Sequence, residues 1–207
     1  MEKLIPTIPT DLKIIICPPF TDLAEFNHHL DFNKTPFFIG AQTVSPYPAG
    51  KHTGEITANM LTELVNYCIV GHSERRTDHQ ETNQKVTKEV GFLIRENITP
   101  IICVDKPNIK TQIKELIRAG IPLKKCIIAY EPLSAIGSGQ PETREVVKNV
   151  ISQITRLTNN QTPVVYGGSI TPENILNYRN ELGLSGFLVG SSGLKPSTFN
   201  NLIRLIK

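Results

Sequence analysis

Residues 126–139 read CIIAYEPLSAIGSG, and this stretch decides the fold. Its first part, Cys126–Tyr130, is a short apolar run rich in β-branched residues, which predicts a buried parallel strand. Glu131 stands where that strand should end, and Pro132 blocks helix for the next residues. Gly137 and Gly139 can act as hinges of the loop that follows. A carboxylate at a strand tip beside a mobile loop suits the base of a barrel enzyme, whereas an ordinary capping or ion-paired glutamate is the alternative.

Strand-like and helix-like patterns alternate on both sides of this stretch. Apolar runs separated by amphipathic segments, such as Thr82–Glu96 and Thr143–Leu157, indicate parallel βα units in one domain spanning residues 1–207. We expect Thr171, followed by Pro172, and Ser197 to cap two further helices. The seven predicted strands are Lys13–Cys17, Phe37–Gly40, Tyr67–Val70, Ile101–Val104, Cys126–Tyr130, Pro163–Tyr166 and Gly186–Val189.

Seven strands are one fewer than a (β/α)₈ barrel needs. The shortfall lies in Met1–Leu12, where Pro6 and Pro9 interrupt any clean strand pattern. A doubly wound open sheet is the competing architecture. Against it, Cys17-Pro18-Pro19-Phe20 follows the first strand in place of a glycine-rich dinucleotide fingerprint. The sequence therefore predicts an α/β barrel that lacks the first strand and most of the first helix.

Composition excludes several classes of function. A formal charge of +3 without a basic face argues against nucleic-acid binding, and the apolar runs are too short to span a membrane. The histidines have no carboxylate or cysteine partners at metal-ligand spacing. The four cysteines lack a CxxC spacing, so we interpret them as small buried hydrophobes of a cytoplasmic protein: Cys17, Cys68, Cys103 and Cys126.

Two further strand ends carry candidate functional groups. His72 follows Val70-Gly71 and precedes Ser73-Glu74-Arg75-Arg76. A lone histidine is more often structural, but an imidazole at a helix N-terminus is held neutral and can donate a hydrogen bond to a carbonyl. We expect Ser73 to cap the following turn and Glu74 to pair with one of the arginines.

Glycine-rich loops follow the last two strands, at Tyr166-Gly167-Gly168-Ser169 and Val189-Gly190-Ser191-Ser192-Gly193. Converging backbone N–H groups and serine hydroxyls in such loops suit a phosphate monoester. Singly, each loop is equally compatible with a plain turn; as a pair they favour phosphate. Together with His72 and Glu131 they predict proton abstraction beside a carbonyl in a water-excluding site.

These residues resemble the triosephosphate isomerase family, in order, from about Lys13 to the C-terminus. The resemblance implies a barrel that interconverts dihydroxyacetone phosphate and glyceraldehyde 3-phosphate, with Glu131 as base and His72 as electrophile, roles that the family is well known for. Glu74 would support the site, and a homodimer would form through Gln42–Glu55. The phosphate would be held by Gly137, Gly168, Ser169, Gly190 and Ser191. The matching segments are Gly40-Ala41-Gln42, Thr53-Gly54-Glu55, Gly71–Arg76, Ala129–Pro132, Ala135–Gly139, Tyr166–Ser169 and Gly186–Gly190.

The departures from the family pattern leave an alternative open. Nothing in Met1–Leu12 matches the Asn-x-Lys motif that ends the family's first strand, and Lys3 is not assigned that role. Either a βα unit lies upstream, or the protein is reduced, with altered activity, and binds phosphate-bearing ligands or a partner without turnover. Without a first strand we expect poor solubility. The smaller departures are Thr43, Asp105-Lys106, Ser134 and Ser191, in place of the family's Asn, Gly-Glu, Trp and Gly.

Overall fold

The protein contains a parallel sheet of seven strands in sequence order, each hydrogen-bonded to the next. The computed structural model describes residue 8 and residues 12–29, 37–135, 140–179 and 183–206. All six neighbouring pairs are parallel, so the carboxyl ends of all strands lie at one edge. The strands are β1 Ile14–Ile16, β2 Phe37–Ala41, β3 Tyr67–Val70, β4 Thr99–Val104, β5 Ile127–Tyr130, β6 Val164–Tyr166 and β7 Gly186–Phe187.

Helices connect the strands, as parallel pairing requires. α4 and α6 begin at threonine caps, because Thr82 and Thr143 accept hydrogen bonds from the backbone N–H groups of Lys85 and Val146. The helices are α1 Leu23–His29, α2 Ala58–Leu61, α3 Ser73–Asp78, α4 Asn83–Arg95, α5 Ile109–Arg118, α6 Arg144–Leu157 and α7 Pro196–Leu205. Short 3₁₀ helices cover Phe20–Asp22, Leu123–Lys125, Ile175–Asn177 and Ser191–Gly193.

The two faces of the sheet bury different sets of side chains. Ile102, Ile128 and Tyr130 pack into the large core with the helices. Their neighbours Cys103 and Ala129 belong to a smaller apolar cluster on the opposite face. Because side chains alternate along a strand, Tyr130 and Glu131 leave the end of β5 in opposite directions.

The prediction of alternating parallel strands and helices is confirmed, and all seven predicted strands form within two residues of their expected starts. In the C-terminal part of the chain, two residues predicted to be helix N-caps do not cap a helix. The α7 helix begins at Pro196 with Lys195 as N-cap, since proline fits the first helical turn, and Ser197 therefore lies inside the helix. Within the described residues 171–179 the chain forms only the 3₁₀ helix Ile175–Asn177, because Asn174 Oδ1 accepts from Thr171 N at 2.9 Å and closes a turn.

Most of the front segment lies outside the described residues, including Lys3. Leu12 and Ile8 are described, and both pack beside Ile14 and Phe37. Among the described helices, none is long and apolar enough to cross a membrane. The thiols of Cys68, Cys103 and Cys126 are buried and that of Cys17 is half-buried; none forms a disulfide within the described part of the chain.

Candidate active site

The His72 ring is placed by the turn between β3 and α3. Gly71 has φ +68°, a conformation that glycine adopts without strain, and His72 follows as the N-cap of α3. The ring Nδ1 accepts a hydrogen bond from the backbone N–H of Glu74 at 3.4 Å. Because Nδ1 accepts, Nε2 carries the proton of the neutral ring. The donor end of the imidazole is therefore Nε2. His72, and not Ser73, caps this helix.

A buried carboxylate and a guanidinium hold Gly71 from both sides. Glu81 Oε2 accepts from Gly71 N at 2.8 Å, and Arg76 Nε donates to Gly71 O at 2.7 Å. Arg75 Nε donates to Glu81 Oε1 at 2.9 Å. The expected pairing of Glu74 with one of these arginines is therefore replaced by longer-range contacts. These bonds fix the peptide groups that precede His72.

Arg76 also connects this turn to neighbouring elements. Its Nη2 donates to the carbonyl of Cys103 in β4 at 3.2 Å and to Gln112 Oε1 in α5 at 3.0 Å, and its Nη1 donates to Asn83 Oδ1 in α4 at 2.9 Å. Burial lowers the pKa of Arg76, against the opposing effect of nearby acidic groups. Burying part of a charge costs less when its donors are hydrogen-bonded, and this network gives the half-buried guanidinium four carbonyl and amide oxygens as acceptors.

Glu131 lies directly after β5, and its side chain faces His72. Its backbone N–H donates to Val104 O at 2.8 Å, which continues the β4–β5 ladder by one residue. The residue is only 4% exposed, and its Oε1 lies 3.3 Å from His72 Nε2. The structure therefore brings the two residues predicted to be catalytic into contact at the carboxyl edge of the sheet.

Burial raises the pKa of Glu131, because the charged form loses its hydration. The adjacent His72, the Cys103 thiol and the backbone N–H of Ser73 act in the opposite direction. A carboxylate whose pKa is raised binds a proton more strongly than an ordinary glutamate. This is the property required of a group that removes a proton from carbon near neutral pH.

The two glycines after β6 make room for side chains of the site. A Cβ atom added at Gly167 would lie 3.0 Å from Glu131 Cγ, and one at Gly168 would lie 2.2 Å from the Tyr166 hydroxyl. Sequence reasoning assigned this pair to phosphate alone and missed the close approach. Only a sequence signal that linked Gly167 with Glu131 would have found it.

The predicted phosphate residues occupy the ends of β6 and β7. Gly168 is buried, and Ser169 has φ +49° with its hydroxyl donating to Ala135 O. Gly190 and Ser191 are exposed and begin the 3₁₀ turn closed by Gly193 N and Gly190 O at 2.8 Å. Their strands are hydrogen-bonded neighbours. Gly137 lies outside the described residues.

Glu74, expected to support the site, contributes mainly through its backbone. Its side chain is 75% exposed, with Oε2 3.7 Å from His72 Nδ1. Glu81, which holds Gly71, was missed by sequence reasoning. No local pattern marks a carboxylate that is buried only after folding.

A small cavity of about 60 Å³ is lined by Glu131 and by Gly71 and Ser73, the residues on either side of His72. Three residues that line it carry a buried oxygen with no hydrogen-bond partner among the described residues: Ser73 Oγ, Asp105 Oδ1 and Glu131 Oε2. Buried polar atoms are normally paired. A polar molecule that enters this cavity therefore meets free acceptors and a hydroxyl next to the base.

A family model for triosephosphate isomerase matches residues 1–206. This chain belongs to the triosephosphate isomerase family. Several relatives named triosephosphate isomerase are similar over most of their length. The protein of Mycoplasmopsis pulmonis is 37% identical over 95% of this chain and 83% of its own. That of Mesomycoplasma hyorhinis is 35% identical over 97% and 85%, and that of Natranaerobius thermophilus 33% over 96% and 85%.

Membership confirms the resemblance seen in the motifs, the barrel fold class and an isomerase-like function. Within the described residues, no group of three or more histidine, cysteine or acidic side chains is arranged to hold a metal ion. The roles of individual site residues rest on the geometry alone.

Proposed function

We propose that this protein interconverts dihydroxyacetone phosphate and glyceraldehyde 3-phosphate, with Glu131 as the base and His72 as the electrophile. The observation that carries the proposal is the 3.3 Å separation of Glu131 Oε1 and His72 Nε2. A carbonyl compound bound against both groups has its acidic C–H bond beside a carboxylate and its oxygen beside an N–H donor. That is the geometry that proton transfer next to a carbonyl requires.

The reaction needs only these two side chains and no cofactor. Glu131 accepts a proton from the carbon next to the carbonyl, and His72 Nε2–H donates a hydrogen bond to the oxygen on which negative charge develops. The hydroxyl proton on the first carbon moves to the former carbonyl oxygen through the ring N–H of His72, and the protonated Glu131 returns its proton to the former carbonyl carbon, which leaves an aldehyde in place of the ketone. Glu74 would support this cycle through its N–H bond to His72 Nδ1, which leaves the ring proton on Nε2.

The phosphate group would bind where β6 and β7 end, at Gly168, Ser169, Gly190 and Ser191, with Gly137 contributing from the adjoining loop. Backbone N–H groups and hydroxyls at the start of a turn suit an anion. The Gly167 backbone, which runs past Glu131 Cγ, would link the phosphate loop to the base. The proposal thus places the reacting carbons between the two regions.

The loop Gln42–Glu55 would form a homodimer contact. Tyr47 is 46% exposed and stacks on His52, with the ring centroids 4.6 Å apart, so a stiff aromatic pair projects from the loop. Exposed tyrosines of this kind are typical of protein interfaces. Replacing Tyr47 with aspartate should shift sedimentation from dimer to monomer; an unchanged dimer would contradict this interface.

The free thiols suit a cytoplasmic location.

A coupled assay of triose-phosphate isomerisation tests the proposed reaction. The wild type should turn over, while Glu131→Gln, which keeps the shape but removes the base, should lower kcat by about 10³-fold or more. The exposed Glu145 provides a matched control, and Glu145→Gln should leave kcat and KM unchanged.

A folded wild type without turnover would overturn the proposed reaction. Calorimetry with an analogue of the triose phosphate then separates the alternatives. Binding of the analogue without isomerisation would favour a phosphate-binding barrel that lacks activity, and absence of binding would exclude both.

A further inference from the structure

One acidic residue, Glu142, contacts five groups from different parts of the carboxyl edge, among them the Ser134 hydroxyl, which donates to its Oε1 at 3.5 Å. It precedes α6 and its side chain is 12% exposed. Its Oε2 accepts from the Tyr130 hydroxyl at 2.6 Å, and its Oε1 lies 2.5 Å from Lys106 Nζ. Its backbone N–H donates to the Tyr166 hydroxyl at 3.2 Å, and its carbonyl accepts from the Tyr178 hydroxyl at 2.6 Å.

These partners come from consecutive parts of the fold. Lys106 follows β4, Tyr130 ends β5 and Tyr166 ends β6, while Tyr178 follows the 3₁₀ helix after β6. Three tyrosine rings also pack together, with centroids 6.0 Å apart for Tyr130–Tyr166 and 5.1 Å for Tyr166–Tyr178. Glu142 therefore ties the ends of three adjacent strands from the helix-facing side of the sheet.

Of the contacts that the Glu142 carboxylate makes, the hydrogen bond from Tyr130 should contribute more to the structure than the ion pair with Lys106. The Lys106 side chain is 49% exposed, and ion pairs at such positions contribute little because water screens them. Tyr130 is fully buried, so its hydroxyl depends on Glu142, and a hydrogen bond to a charged acceptor is stronger than one between neutral groups. Burial and the Glu142 carboxylate together raise the pKa of Tyr130.

Anchoring Tyr130 constrains Glu131, the next residue. Gly167 N donates to Tyr130 O at 2.9 Å and Glu131 N donates to Val104 O at 2.8 Å, so the peptide between them is held by β4 and β6. The two side chains project to opposite faces of the sheet. A rotation of this strand end that frees Tyr130 would therefore move the Glu131 carboxylate as well.

We propose that Glu142 is a positioning residue, which holds the Glu131 carboxylate in place through its side-chain bond to Tyr130. The inference rests on the proposed function, since it concerns the placement of the proposed base. Backbone contacts of Glu142 survive substitution of its side chain, so variants at this position isolate the carboxylate.

The decisive measurement is the split between kcat and KM in Glu142→Ala and Tyr130→Phe. Each should lower kcat by about 10- to 100-fold, because a displacement of about 1 Å costs that much in a proton transfer, with KM within about 3-fold of wild type. The double variant should be no slower than the slower single one, since both remove the same bond. Glu142→Gln retains an acceptor oxygen and should recover most of the loss.

Three controls separate placement of the base from general damage. Glu145→Gln should behave as wild type, and Lys106→Ala should lower kcat by less than about 3-fold. Circular dichroism identifies any variant that fails to fold, and Tyr130→Phe, which removes the same bond but keeps the ring, then carries the test in place of Glu142→Ala. In an absorbance titration, Glu142→Gln should lower the pKa of one tyrosine, and this change should be absent when Tyr130→Phe is added.

The outcomes distinguish this inference from the function on which it rests. If the wild type isomerises and both Glu142→Ala and Tyr130→Phe retain its kcat, the inference is wrong and the proposed reaction stands. Fully additive losses in the double variant would also overturn it. If the wild type does not isomerise although folded, the proposed reaction and the inference fall together.

Discussion

The ends of β3 and β5 and the ends of β6 and β7 are built in different ways. At the first pair, His72 and Glu131 are set by side chains, including the buried Glu81 and Arg76 that hold Gly71. At the second pair, Gly190 and Ser191 are exposed and are shaped by a backbone turn. The difference indicates that the side chains that act on the reacting carbons need a fixed position. The phosphate group, which takes no part in the reaction, needs only backbone groups of suitable shape. Substitutions should therefore affect kcat at one region and KM at the other.

Among the substitutions that compare these two regions, shortening the side chain of Glu131 should lower kcat the most. Glu131→Asp keeps a carboxylate but withdraws it by one methylene from the position 3.3 Å from His72 Nε2. We expect kcat to fall by about 10²-fold or more while KM changes little, because the phosphate loops are untouched. Steady-state kinetics in both directions measure this. A rise in KM as large as the fall in kcat would break the comparison.

A smaller effect should follow from adding a methyl group at Gly168. The new Cβ atom would lie 2.2 Å from the buried Tyr166 hydroxyl, so the loop after β6 must shift, at a cost of about 1–3 kcal/mol. We expect KM to rise about 10-fold and kcat to fall less. Gly91→Ala in α4, where the added atom meets only Ile121 Cδ1 at 3.9 Å, is the matched control. Equal effects of the two substitutions would contradict a close-packed role for Gly168.

The smallest effect on catalysis, and a clear one on stability, concerns Glu89. This residue of α4 is 1% exposed, and burial, followed by the charge of Glu81, raises its pKa from 4.5 to about 8, against Arg75 and Arg76. Between these pH values the folded state holds a proton that the unfolded state has released. The free energy of unfolding should therefore fall as pH rises through this window, by at most about 1.4 kcal/mol per pH unit.

Glu89→Gln should remove that part of the slope while leaving kcat near its wild-type value. Urea titrations at several pH values from 5 to 8 measure the difference between the two proteins, and taking the difference cancels the shared contribution of Glu131, whose pKa is also raised. Glu145→Gln should keep the wild-type slope. Parallel curves for wild type and Glu89→Gln would show that the proton on Glu89 plays no part in stability.

Sequence reasoning found the strands and the two catalytic candidates for the same reason. Buried parallel strands are short apolar runs, and functional groups collect just after them, so Glu131 and His72 stand out locally. Glu81 and Glu142 do not, because their partners are brought to them only by folding: Gly71 lies ten residues from Glu81, and Tyr178 lies 36 from Glu142. The cap predicted at Ser197 failed because Pro196 was the better first helical residue.

Gly167 couples the residues that are tolerated at the ends of two neighbouring strands. A Cβ atom at this position would lie 3.0 Å from the methylene next to the Glu131 carboxylate, so a side chain at residue 167 would displace the base by a few tenths of an ångström. A library that varies both positions together should return glycine at 167 wherever glutamate is kept at 131. Larger residues at position 167 should be recovered only in variants that lack glutamate at position 131 and have therefore lost the activity.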